Sequence, residues 1–149
     1  MRDYTDEKLL YKQELELLTN SAQVLQRSYD ICEKIGIKED YTFDEHDRFE
    51  ALTSRFARTS DILIQKTLRL IDIIELENTG SIIDRLHRAE KREIIASAEE
   101  FKNIRRLRNN IAHEYTQLDL ERMFQQVLEI CPVLLDAVER VKKYAIPEI

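Results

Sequence analysis

The stretch TFDEHDRFEALTSRFARTSDILIQKTLRLIDIIEL, residues 42–76, determines the architecture of this chain. Its apolar side chains recur at intervals of three and four residues, which places them on one face of an α-helix. Additional aliphatic residues widen that face in the C-terminal half, so we expect this helix to be buried on more than one side. The face consists of Phe49, Leu52, Phe56, Leu63, Leu70 and Ile73, and it is widened by Ile62, Ile64, Leu68, Ile71 and Ile74.

Four further helices are predicted around this one, over about 5–35, 82–95, 98–115 and 120–144. The first ends at Gly36, a residue type that commonly terminates helices. Capping residues mark the other starts, namely Thr42 with Glu45, Ser81 with Asp84, Ser97 with Glu100, and Asp119. Pro132 interrupts the last helix and should bend it near its middle. The sequence therefore predicts an all-α, antiparallel bundle of about five helices with a long N-terminal αα-hairpin, in one domain spanning residues 1–149.

The composition excludes several other classes of protein. The 149 residues include 2 Gly, 2 Pro and no Trp, too few turn residues for an all-β fold or a glycine-rich nucleotide loop. Cys32 and Cys131 fall at apolar helical positions, where a free thiol behaves as a small hydrophobe, and they lack zinc-ligand spacing. The charged N-terminus lacks a signal-peptide pattern, and no apolar run approaches the roughly 20 residues of a membrane span. We expect a soluble cytoplasmic protein without a membrane segment.

The formal net charge of −6 is spread unevenly. Residues 1–47 hold 12 acidic and 6 basic side chains, whereas the rest of the chain holds 17 of each. Phosphate contacts require Lys and Arg. We therefore interpret the acidic part as a solvated helix surface that does not contact a nucleic-acid backbone.

His113 differs from the other two histidines in its neighbours. His46 and His87 are interpreted as solvated surface residues. His113 lies in RRLRNNIAHEY, residues 105–115. Residues 101–115 form a positive island in an acidic chain, which should hold an anion. The basic residues of this island are Lys102, Arg105, Arg106 and Arg108, with Glu114 as its acidic member.

These residue types suit cleavage of RNA. A histidine can donate or accept a proton at neutral pH, and an arginine fork can hold a phosphate. RNA supplies its own nucleophile, the 2′-hydroxyl, so no metal or cofactor is needed and the product would be a 2′,3′-cyclic phosphate.

On a continuous helix Asn109 and His113 would share a face, but Arg108 and His113 would stand about 140° apart. Since one His cannot comfortably serve as acid and base in one step, a C2 homodimer that brings two copies together would complete the site. Taken alone, the Arg-x4-His spacing is more simply explained as a basic helix end with a surface histidine.

The string Arg108-Asn109-x-x-Ala112-His113-x-Tyr115 resembles the signature of the HEPN superfamily, helical domains marked by Arg, four to six residues, then His. The Tyr two residues after the His resembles the HepT branch, toxins of two-gene modules whose antitoxin is a minimal nucleotidyltransferase. The resemblance implies a metal-independent endoribonuclease toxin of a type VII-like pair. Arg108 and His113 would be the catalytic pair at a homodimer interface, with Asn109 orienting groups in the cleft. Arg106, six residues before His113, also fits the spacing of the family.

The resemblance also implies a mode of silencing. Tyr115 matches the tyrosine to which the partner transferase attaches AMP, and the negatively charged adduct would fill the RNA site and compete for Arg108. Tyr115 fits equally well as a half-buried aromatic that closes a helix end. Lys102, Arg105 and Arg106 would add to RNA binding.

Two features of the sequence allow more than one interpretation. Arg55 and Asp61 could add polar groups to the cleft, although a solvated face is the simpler interpretation. The alternative function is a non-catalytic binding or partner subunit of a minimal nucleotidyltransferase. The acidic composition and the scarcity of aromatic residues outside the core favour that alternative, since binders of single-stranded RNA usually offer stacking surfaces.

Overall fold

The computed structural model describes residues 5–113 and 116–144, without the side chain of residue 117. Within these ranges every regular element is helical, which confirms the predicted all-α bundle. The α2 helix continues through a π-helical turn into α3 with α-helical dihedral angles at each junction, so the elements form five rods. Their bounds are α1 Thr5–Ile35, α2 Phe43–Asp61, the π turn Ile62–Thr67, α3 Leu68–Ile74, α4 Ile82–Lys91, α5 Ala98–Ile111 and α6 Gln117–Lys143.

The core lies where α1, α2, α5 and α6 meet. Phe49 of α2 stacks on Phe124 of α6 with ring centroids 5.3 Å apart. The α1 helix ends as predicted at Gly36, whose φ of 74° suits glycine and whose N–H donates to the Cys32 carbonyl at 2.9 Å. None of the helices in the described ranges combines the length and the apolar content needed to cross a membrane.

Most of the predicted helix starts are confirmed. Thr42 and Ser81 each form a complete capping box, and the Ser97 hydroxyl accepts from the backbone N–H of Glu100. The prediction that Asp119 caps the last helix is wrong. Thr116 occupies that position, and its hydroxyl accepts from the backbone N–H of Asp119. Asp119 instead sits in the first turn, where a carboxylate interacts favourably with the helix dipole.

Two predicted helices are shorter than the periodicity indicated. The α4 helix ends at Lys91 because the chain turns at Glu93, whose φ is 61°, and this turn buries Ile94 and Ile95 as loop residues. The α5 helix ends at Ile111, four residues before the predicted end. Pro132 lies within a continuous α6, and the bend predicted there stays a prediction.

The π turn widens the second rod by one residue for one turn. The backbone N–H of Leu68 donates to the carbonyl of Leu63, an i to i−5 bond. The hydroxyl of Thr67 donates to the carbonyl of Ile62 at 3.1 Å. Such turns are frequent at functional sites, and this one begins directly after Asp61.

A buried carboxylate joins α3 to α4. Asp72 has an exposed fraction of 0% and accepts from Arg88 at 3.2 and 2.8 Å and from Arg92 at 2.5 Å. Arg85 lies 3.6 Å from the same carboxylate. Arg85, Arg88 and Arg92 therefore neutralise Asp72 within the fold and are not available to bind an external anion.

Candidate functional site

The last turn of α5 meets the end of α2 through a two-point salt bridge. The Nε of Arg108 donates to Oδ1 of Asp61 at 2.7 Å, and Nη2 donates to Oδ2 at 2.9 Å. The two side chains are 30% and 43% exposed, so the pair borders solvent. Asp61 therefore has a specific partner, which the simpler interpretation of a solvated face did not include. Arg55 does not join this pair, since its guanidinium donates to the hydroxyl of Ser28 in α1 at 2.6 Å.

The salt bridge orients Arg108 without using up its donors. Hydrogen bonding to Asp61 raises the pKa of Arg108 above its ordinary value, so the guanidinium is charged at every physiological pH. A guanidinium has five N–H donors, of which this arrangement occupies two. Within the described part of the chain, the Nη1 group and the second hydrogen on Nη2 have no acceptor, and they can bind a phosphate end-on.

His113 lies just beyond the end of α5. The helix is closed by Ala112, and the backbone N–H of His113 donates to the Asn110 carbonyl at 3.1 Å. The imidazole is exposed and has no hydrogen bond or ion pair with any residue that the structure describes. The predicted shared face of Asn109 and His113, and the 140° angle to Arg108, assumed a helix to residue 115. The helix ends at Ile111, two residues before His113, so helical spacing does not fix the position of His113 relative to the other two side chains.

The remaining residues of the basic island have different surroundings. Lys102 is paired with Glu99 at 2.7 Å. Arg106 donates to Asn103 at 3.0 Å and lines a groove of about 400 Å³ between α5 and α6. Arg106 and Arg108 lie two residues apart, so they occupy nearly opposite faces of the helix. Only Arg108 of these two contacts Asp61.

Asn109, Arg105 and Tyr115 complete the set of predicted site residues. Asn109 is exposed, Arg105 is half-buried, and neither has an ion pair within the described part of the chain. Tyr115 lies outside the described residues. Among the described residues, no three His, Cys, Asp or Glu side chains are grouped as metal ligands.

His46 is not the solvated histidine that the sequence suggested. Its side chain is 20% exposed, and its ring lies edge-on to Phe124 with centroids 5.0 Å apart. Nδ1 is 3.6 Å from the Glu50 carboxylate, and the buried Nε2 has no hydrogen-bond partner in the structure. His46 thus packs α2 against α6, because the turn before α2 brings the start of that helix over Phe124. His87 is exposed, as expected.

Asp61 is the residue that sequence reasoning undervalued. It is 47 positions from Arg108, so no helical spacing connects the two. The available signal was a carboxylate directly before the apolar triplet 62–64, in the half of the second helix that was predicted to be buried on more than one side. Such a residue needs a partner when neighbouring residues are buried.

Comparison with known proteins identifies the family. A family model described as "Ribonuclease HepT-like" matches residues 16–141, which include Asp61, Arg108 and His113. No curated protein and no solved structure matches the chain. Since the match covers most of the sequence, the chain belongs to the HepT-like ribonuclease family.

Proposed function

We propose that this member of the HepT-like ribonuclease family is a metal-independent endoribonuclease toxin that cleaves RNA with Arg108 and His113. The family match supports ribonuclease activity. The observation that carries the assignment of residues is the two-point salt bridge between Arg108 and Asp61. It fixes a charged guanidinium five positions before an exposed histidine in the sequence. A cation that holds the phosphate and a group that transfers a proton are the two components that this reaction requires.

The chemistry is an attack by the RNA on itself. The 2′-oxygen forms a bond to the adjacent phosphorus while the bond from phosphorus to the 5′-oxygen breaks. One imidazole accepts the proton of the 2′-hydroxyl, and an imidazolium donates a proton to the departing 5′-oxygen. The guanidinium of Arg108 stabilises the negative charge that builds up on the non-bridging oxygens. The products are a 2′,3′-cyclic phosphate and a 5′-hydroxyl.

A homodimer completes the site in this proposal. The acid and the base must be present in the same turnover, and each chain contributes one His113. A C2 axis near the end of α5 would place the two copies on either side of one phosphate. Asn109, exposed beside Arg108, would orient the ribose or phosphate, and Arg105 would add attraction for the backbone.

The proposed silencing acts through Tyr115. A partner nucleotidyltransferase would direct the tyrosine oxygen at the α-phosphorus of ATP, forming a phosphodiester and releasing pyrophosphate. Tyr115 follows His113 by two residues in the sequence, so the attached AMP would lie next to the proposed site. Its negative charge would bind Arg108 in place of RNA.

RNA cleavage in the presence of a chelator tests the proposal. The protein is first shown by intact mass to carry no AMP, and it is then incubated with end-labelled RNA and EDTA. Wild type should cleave and leave cyclic-phosphate ends, whereas Arg108→Ala and His113→Ala should be slower by about 10²-fold or more. Arg140→Ala and His87→Ala remove the same side chains at surface positions and should cleave normally.

The contrary results are equally clear. Cleavage by His113→Ala at the wild-type rate would remove the proposed catalytic residue. Failure of folded, unmodified wild type to cleave any of a varied set of RNAs would support the alternative, a non-catalytic partner subunit of the transferase.

A further inference from the structure

A recess between α1 and α2 gathers three arginines, one of which, Arg27, belongs to the acidic segment 1–47. It has a volume of about 150 Å³, and no carboxylate lines it. Its lining consists of Arg27, Ser28 and Ile31 from α1 and Arg48, Ala51 and Arg55 from α2. The recess is distinct from the Arg108–Asp61 pair, with which it shares no residue.

The positive charge in the recess is poorly neutralised. Arg55 is held by the buried hydroxyl of Ser28, a neutral acceptor, at 2.6 Å. Arg27 is exposed and forms no ion pair with any described carboxylate. Arg48 has one distant partner, Asp44, whose side chain is 79% exposed and lies 3.8 Å away. Three guanidiniums around one concave surface repel one another, and a bound anion would relieve that repulsion.

We propose that this recess binds a backbone phosphate of the RNA strand that the enzyme cleaves. The inference rests on the proposed ribonuclease function and extends it. The recess has the chemistry that phosphate requires, since it combines planar guanidinium forks with a hydroxyl group and contains no competing acid.

The α2 helix connects the recess to the proposed catalytic pair. Arg55, Arg58 and Asp61 follow one another at intervals of three, so each is about 60° around the helix from the last. The axial distance from Arg55 to Asp61 is about 9 Å, which a single strand can bridge within a few nucleotides. Arg58 is exposed and forms no ion pair with the described carboxylates, so it can contact the strand between the two sites.

This proposal reverses the interpretation of residues 1–47 as a surface without contact to nucleic acid. The net charge of a segment averages over all its faces. The fold places Arg27 of the acidic segment beside Arg48 and Arg55 from the next helix, and the local charge there is positive.

The test compares two double substitutions that remove the same charge. Arg27→Gln with Arg48→Gln removes two cations from the recess, and Lys8→Gln with Lys12→Gln removes two from the opposite end of α1. Each is made in the wild type and in the His113→Ala variant, in which RNA stays intact during binding measurements. Arg27 is exposed and the Arg48 side chain is 49% exposed, so both proteins should fold, as checked by circular dichroism and thermal melting.

The expected result is selective for the recess. Removal of Arg27 and Arg48 should weaken binding of a labelled single-stranded RNA about tenfold. It should also reduce the slope of log affinity against log salt by about 0.7 for each phosphate that the protein no longer neutralises. In the cleaving protein KM should rise for a long RNA, with little change for a dinucleotide that cannot reach the recess, and kcat should be unchanged. The Lys8 and Lys12 substitutions should change affinity by less than twofold.

Each other outcome identifies what has failed. If wild type cleaves normally and the two double variants bind RNA with equal affinity and equal KM, the recess is not a phosphate site. The proposed ribonuclease function is then unaffected. RNA binding that depends on the recess, without cleavage by wild type, supports the phosphate site and overturns the enzyme. No binding of RNA by any of the proteins overturns both.

Discussion

Arg108 illustrates how a single side chain can be fixed without being buried. The salt bridge to Asp61 borders solvent, so it should contribute less than about 1 kcal/mol to the free energy of unfolding. Its two parallel hydrogen bonds nevertheless leave the guanidinium one orientation. The value of Asp61 is therefore expected in the rate of RNA cleavage and not in stability.

The substitution Asp61→Asn tests this role. The amide keeps one acceptor oxygen but loses the charge and one of the two hydrogen bonds, so Arg108 becomes mobile. We expect kcat for RNA cleavage to fall about 10- to 100-fold, because small displacements of a positioning group are costly, while the free energy of unfolding changes by less than about 1 kcal/mol. Kinetics with a defined RNA and urea denaturation measure the two quantities.

The control is Asp136→Asn, which removes the same charge from a one-point, exposed pair with Arg140 in α6. It should leave cleavage unchanged. A normal kcat in Asp61→Asn, or an equal loss in the control, would contradict the positioning role.

The two members of the salt bridge differ in how well sequence could identify them. Arg108 belongs to a local string that fixes its spacing to His113, and local strings are visible without a structure. Asp61 contacts it only because α2 and α5 pack side by side, and that register depends on the whole core. The contact therefore could not be predicted from helical periodicity.

The start of a helix was predictable from the sequence where a single capping side chain determines it. Thr42, Ser81 and Ser97 cap their helices as their local sequence indicates. At the start of α6 the cap is Thr116 and not the predicted Asp119, because Thr and Asp are both favoured N-cap residues and local sequence alone does not rank them. The end of α4 depends on the burial of Ile94 and Ile95, which is a tertiary effect.

Asp72 tests how firmly one helix is held to the next. Asp72→Ala would leave Arg85, Arg88 and Arg92 close together without their shared buried counter-charge. Removal of one partner from a buried ionic network costs about 3–5 kcal/mol. Urea denaturation should show a loss of this size, with α4 detaching first in hydrogen exchange.

Glu139→Ala, which removes an exposed partner of Lys142, should cost less than about 1 kcal/mol and serves as the comparison. A small loss for Asp72→Ala as well would mean that the three arginines find other acceptors or solvent.

Tyr11, in α1, and Tyr144, just after α6, lie near the same carboxylate, that of Glu75. Tyr144, just after α6, donates its phenolic hydrogen to Glu75 at 2.5 Å, and Glu75 is also paired with Arg92 at 2.6 Å. Tyr11 of α1 is buried near the same carboxylate. Burial and the negative charge of Glu75 raise the pKa of Tyr11 and that of Tyr144 to about 12, from an ordinary value of 10.0.

These raised pKa values predict sensitivity to alkali. The folded state retains the two phenolic protons that the unfolded chain loses near pH 10, so their stabilising contribution is complete below pH 10. It is lost as the pH rises from 10 to about 12. Absorbance of tyrosinate should show that Tyr11 and Tyr144 titrate well above pH 10, and the free energy of unfolding should fall over the same range.

Tyr144→Phe should remove one late step from the titration and reduce the alkaline loss of stability. Titration of all six tyrosines near pH 10 in the folded wild type would show that this end of the bundle is open to solvent.

The π turn after Asp61 also bears on lineage and chain length. A π turn is what an α-helix becomes when it absorbs one extra residue without breaking. Deletion of one residue from Ile62–Thr67 would restore a regular helix and rotate Asp61 by about 100° relative to α3. If α3 then kept its packing against α4, Asp61 would point away from Arg108. If Asp61 kept its salt bridge to Arg108, α3 would lose its packing against α4. A single-residue gap at this position in a related sequence would thus mark a protein that holds its arginine in another way.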